Sequence, residues 1–171
     1  VPPGVEKAFD LFVRVFESDG GFPGRQALRA AGTADADVTN HMDWVLEGRD
    51  PQPVSAEAYS MIIDEWDTFR REMLAFMQGF DLIVCPVNAY PAMPHGFRHR
   101  DGGVLMRNFS YTLAHNLTGY PGAVVRAGTS PEGLPIGVQL VAGWWRDDVA
   151  LAAALAVEQA TGGWVKPDIS F

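Results

Sequence analysis

Between Asn108 and Gly128 the chain reads NFSYTLAHNLTGYPGAVVRAG, placing Ser110, Tyr111, Thr112 and His115 within six residues. A hydroxyl beside an imidazole is the raw material of nucleophilic catalysis, but the spacing opposes it. Five residues on a helix turn a side chain by about 140°, so Ser110 and His115 cannot share a hydrogen bond there. No Gly-x-Ser-x-Gly elbow occurs anywhere. A Ser-Lys arrangement fares no better. The two lysines, Lys7 and Lys166, sit near the chain's two ends, and neither lies in the apolar surroundings that lower an amine's pKa. The stretch HGFRHR puts His95 and His99 four apart, a zinc spacing only on a helix. Pro94 and Gly96 argue for a loop, and no third ligand is at hand, so no metal site is expected. Cys85 stands alone in an apolar run and reads as a buried, inert thiol. The glycine-rich pieces GYPGAVVRAG and EGLPIG lack the Gly-Lys-Ser/Thr of a phosphate loop and read as turns.

The elements that must position these residues follow from hydrophobic spacing. Val5, Phe9, Phe12, Val13 and Phe16 make a helical stripe that stops at Gly20-Gly21. PGRQALRAAG predicts a short helix closed by Gly32. Ser55 is placed to cap a long helix whose Tyr59, Ile62, Trp66, Phe69, Met73 and Phe76 form one buried face, ending at Gly79. FDLIVCP predicts a strand buried on both sides and stopped by Pro86. Met106 to Thr118 predicts another helix. PGAVVRAG and PIGVQLVAG predict an antiparallel pair across the turn SPEG, and a last helix starts near Asp147 and ends before Gly162. Trp144 and Trp145, adjacent at a strand end, should point opposite ways, one inward and one toward a cleft or partner. The order of elements makes the chain α/β.

Composition sets outer bounds. Of 171 residues 47% are hydrophobic and 20% charged, which suits a packed core. The net charge of −8, from 13 basic and 21 acidic residues, opposes nucleic-acid binding. The apolar runs are too short to span a bilayer, and the opening VPPGVEKAF lacks the basic-then-apolar pattern of a signal peptide. With one cysteine, this fits a reducing, cytoplasmic setting. The leading Val suggests a processed chain or a piece of a longer one.

Taken together, FDLIVCPVNAYPAMPHG, FSYTLAHNLTGYPGAVVRAG and EGLPIGVQLVAGWWRDDVALAAALAVEQATG resemble the C-terminal third of the amidase signature family. The shared pattern is a strand ending in Pro plus a small residue and a helix ending Asn-x-x-Gly-x-Pro. A strand, Gly-Leu-Pro-x-Gly-x-Gln-x-x-Gly and a final helix follow. The match is best over residues 55–167. Residues 1–54 correspond to the helical stretch before it, and residues 55–171 to the sheet-and-helix part.

The resemblance implies part of a mixed β-sheet sandwiched by helices, incomplete in this chain, and cofactor-free hydrolysis of a carboxamide to carboxylate plus ammonia or amine. It implies a Ser, cis-Ser and Lys triad in a Gly/Ser-rich region that this sequence lacks. None of the six Ser or two Lys matches those positions. The catalytic residues are then expected outside this chain, on a missing N-terminal portion or another polypeptide. What carries over is acyl-pocket lining. Phe109, seven before Asn116, occupies a substrate-recognition position, with Leu113 one turn on, and Val87 stands where the family often has Thr. An apolar Phe109 points to an aryl or aliphatic amide rather than glutamine. Two further functions stay open, a non-catalytic binding or scaffold module and an amidotransferase subunit, and a homo-oligomer stays open as well. Strands lacking their partners should make the isolated chain poorly soluble or oligomeric, and inactive.

Overall fold

The computed structural model describes residues 1–34, 52–94 and 110–166. Helices α1 (Ala8–Glu17), α2 (Phe22–Ala30) and α3 (Ala56–Met77) precede strand β1 (Leu82–Pro86). Helix α4 (Ser110–Thr118), strands β2 (Gly122–Thr129) and β3 (Pro135–Ala142), and helix α5 (Asp147–Thr161) complete the order. The chain is α/β, as its pattern predicts.

The long helix begins as its sequence dictates. Ser55 is extended, and its hydroxyl accepts a hydrogen bond from the Ala58 N–H at 3.1 Å, satisfying one orphan donor of the first turn. Its inner face is Ile62, Phe69, Met73 and Met77. Tyr59, expected on that face, is exposed, because the core begins about one turn further along. Met73 and Leu11 meet in the central cluster with Phe69, Ala114, Leu117, Tyr120 and Val141, which joins α1, α3, α4 and β3. Arg14 of α1 and Glu65 of α3 add a two-pronged ion pair at 2.7 and 2.6 Å. Both side chains are nearly half exposed, so solvent screens the pair and its contribution is small.

The sheet runs β1-β3-β2, antiparallel throughout. The β2–β3 hairpin closes over Ser130, whose N–H donates to Leu134 O and whose hydroxyl accepts from the Leu134 N–H. A register shift follows Arg126 in β2. Strand pairing assigns the faces. Ile83, Cys85, Gln139 and Val141 face α4 and the core, whereas Val84 shares the opposite face with Leu140. Helix α5 covers that opposite face over β2 and β3. The sheet is thus sandwiched by helices, except at β1. That strand is expected to be buried on both sides, yet it forms the sheet edge and its Val84 is 61% exposed.

Candidate functional site

Among the described residues, the polar side chains of Gln139, Cys85 and His115 gather where β1, β3 and α4 converge. Gln139, buried at the middle of β3, sends its amide Nε2 to two carbonyls at 2.9 Å each, Pro86 O and Tyr111 O. Pro86 ends β1 and Tyr111 lies in the first turn of α4, so one side chain ties the end of a strand to the start of a helix. Two positions before it, Gly137 faces Val124 and Val87. A Cβ there would stand 3.2 Å from one valine methyl and 3.3 Å from the other, so glycine lets these side chains close over the strand.

Beside Gln139, Cys85 Sγ lies 3.6 Å from His115 Nε2. A cysteine–histidine pair is a catalytic arrangement when the thiol loses its proton to the imidazole. Here burial pushes the Cys85 thiol up, with a smaller opposing pull from Gln139, and burial pushes the His115 imidazole down. Both shifts oppose transfer of the proton from sulfur to the ring, which disfavours a thiolate–imidazolium pair. Both residues line a cavity of about 590 Å³ along the outer edge of β1, with Phe76, Phe80, Ile83 and Ala114 among its apolar walls.

The expected site residues fall as follows. Phe109 lies outside the described residues. Leu113 is buried on α4. Val87, half-buried just past β1, lines a separate cleft of about 350 Å³ with Tyr90, Val124 and Gly137. Gln139 holds the elements carrying Leu113 and Val87 together. Gln139 is the Gln of the Gly-Leu-Pro-x-Gly-x-Gln motif, and an amide flanked by Val138 and Leu140 on a core strand is itself a signal of a buried polar contact. Ser110 begins α4, the helix that carries His115. His95 and His99 lie outside the described residues. Among the described residues no three His, Cys, Asp or Glu side chains gather as metal ligands, and no helix is long and apolar enough to cross a membrane.

The Amidase family model matches residues 29–151. A glutamyl-tRNA(Gln) amidotransferase subunit of Thermus thermophilus is 38% identical over 112 residues, which are 63% of this chain and 23% of that protein. Fatty-acid amide hydrolase 2-B of Danio rerio is 34% identical over 115 residues, 67% of this chain and 21% of that one. Among solved structures, an amidase crystal structure superposes with a TM-score of 0.68 at 20% identity, over 93% of this chain and 36% of its own. The corresponding glutamyl-tRNA(Gln) amidotransferase subunit of Thermotoga maritima gives 0.64 at 16% identity, over 99% and 37%. The chain spans under a quarter of the length of these two curated relatives. By its sequence motifs and its fold, the chain belongs to the amidase family.

Proposed function

We propose that this chain forms the C-terminal part of an enzyme that hydrolyses a carboxamide to a carboxylate plus ammonia or amine. It contributes sheet, helices and part of the acyl pocket, while the Ser, cis-Ser and Lys triad lies outside these residues. The Gln139 bridge is the observation that carries the reading. It fixes the end of β1, which leads to Val87, against α4, which carries Leu113 and follows Phe109. A pocket assembled from two elements needs such a tie, because a nucleophile supplied from elsewhere requires an acyl wall that does not drift.

Phe109, Leu113 and Val87 make that wall apolar, which favours aryl or aliphatic acyl groups over a charged one. In the complete enzyme, ammonia release from benzamide-like and short aliphatic amides should exceed release from glutamine. Phe109→Asp should lower kcat/KM for the aryl amide about tenfold or more, as placing a charge in an apolar subsite does. Unchanged kinetics for Phe109→Asp would remove Phe109 from the pocket. A second reading, as part of an amidotransferase, draws on the relatives that bear that name. It requires glutamine to be the preferred ammonia donor, so the same assay separates the two.

A further inference from the structure

Trp145 combines a strained backbone with a bare indole. Its φ of 63° is the only left-handed one at a non-glycine position among the described residues, and its side chain is left almost wholly to solvent. A bulky residue resists that conformation, and strain of this kind gathers at ligand clamps. The indole lines a cleft of about 560 Å³, within the roughly 300–1,000 Å³ of small-molecule sites. Arg70 lines the same cleft. Its guanidinium lies 5.9 Å from the ring centre of Trp66 and 5.4 Å from that of Trp144. Both rings are pinned in turn, because their N–H groups donate to Leu117 O and Thr118 O at 2.6 Å each. The guanidinium is therefore preorganised, yet its donors are little used. Nε is buried without a partner among the described residues, and Nη1 reaches Asp67 only at 3.5 Å. The cleft also holds an exposed acid, Asp147. Its neighbour Asp148 is held by Arg146, whereas Asp147 has no ion pair among the described residues.

We propose that this cleft binds a free aromatic α-amino acid as its zwitterion. Arg70 takes the carboxylate, Asp147 takes the ammonium group, and the ligand's ring stacks on Trp145. One cation and one anion in a single cleft select against simpler ligands. A bare carboxylate is drawn to Arg70 but repelled by Asp147, and an organic cation meets the reverse. A zwitterion answers both charges with charge-assisted hydrogen bonds, and the planar fork of Arg70 matches a carboxylate. An exposed indole on a strained backbone calls for a flat ring rather than a branched aliphatic chain. A residue at the end of a peptide keeps only one of the two charges, so the free amino acid is the form that uses both. The proposal concerns recognition of a small molecule and goes beyond amide hydrolysis.

The test is calorimetric titration of the complete enzyme with L-phenylalanine, which should bind at one site. Three analogues each lack one feature: 3-phenylpropionate the ammonium group, phenethylamine the carboxylate, and N-acetylphenylalanine the free amine of an amino acid. Each should bind about tenfold or more weakly than phenylalanine. Asp147→Asn should erase the preference over 3-phenylpropionate, and Arg70→Gln the preference over phenethylamine, which a merely structural role for either residue does not predict. Asn tolerates the left-handed backbone, so Trp145→Asn should keep the fold, with Tm no lower, and lose binding. No heat from phenylalanine at millimolar concentrations overturns the proposal. So does equal affinity for phenylalanine and N-acetylphenylalanine, which would assign the cleft to a peptide's C-terminus. Binding that all three variants retain unchanged places the ligand elsewhere and overturns it as well. The readout is binding alone, so the result does not depend on which amide the enzyme hydrolyses.

Discussion

At the level of single residues, Gln139 and His115 carry the most specific consequences. Gln139→Leu keeps the volume and removes both donations, leaving Pro86 O and Tyr111 O without that donor. The expected loss is roughly 1–3 kcal/mol, read as a lower urea midpoint with an unchanged slope. The motif containing Gln139 is visible in the sequence, but its role is not, since its partners lie 53 and 28 residues away. His115 gives a pH dependence. Burial favours the neutral ring, so the folded-state pKa lies below the ordinary value of 6.5 that the ring regains on unfolding. The unfolded chain therefore takes up a proton first. The stability tied to this group is fully present above 6.5 and is lost as pH falls from there toward the folded-state value. Urea midpoints should drop between about pH 7.5 and pH 5.5, and His115→Gln should flatten that drop. An equal slope in the variant would assign the acid sensitivity elsewhere.

Helix termini show what a local pattern reveals and what it hides. The Ser55 cap was legible because cap and helix are neighbours in the chain. The end of α4 was not. There the Leu117 carbonyl accepts from the Trp66 indole and the Thr118 carbonyl from the Trp144 indole, both at 2.6 Å, so side chains from two distant segments satisfy its last turn. Trp66 and Trp144 also flank the Arg70 guanidinium, at 5.9 and 5.4 Å from their ring centres. The adjacent tryptophans do not divide into one buried and one exposed: Trp144 donates to the end of α4 yet is 36% exposed, Trp145 is 92% exposed, and both line one cleft. Trp145 also has φ of 63°, a left-handed conformation that opposes a bulky side chain. Trp145→Asn should therefore stabilise the fold by about 1 kcal/mol and raise Tm. A loss of stability would mean the indole makes contacts that outweigh the strain. The far end of α5 is held comparably. Arg126 donates from Nε to Gly163 O at 2.9 Å and from Nη2 to Thr161 O at 3.0 Å, a cation at the helix's negative end.

Across the whole molecule, sequence period sufficed for the helices, the hairpin and the α/β class, because each rests on contacts between near neighbours. It was silent on which strand stands at an edge, which depends on what else joins the sheet. FDLIVCP reads as a buried strand, and among the described residues it stands at the edge of the sheet. This mismatch predicts how the isolated chain behaves. Its outer β1 edge lacks a guarding lysine, Val84 and Phe80 are bare beside an apolar cavity, and two such edges can pair with one another. The net charge of −8 opposes association, yet over a whole surface it is screened within about 8 Å at physiological salt and cannot protect one strand. Sedimentation should therefore find the isolated chain oligomeric, increasingly so at higher salt. Val84→Lys, which puts a charge on the edge where solvent can reach it, should shift it toward monomer with little change in helix content. A monomeric parent chain, or oligomers indifferent to Val84→Lys, would locate the exposed association surface away from β1.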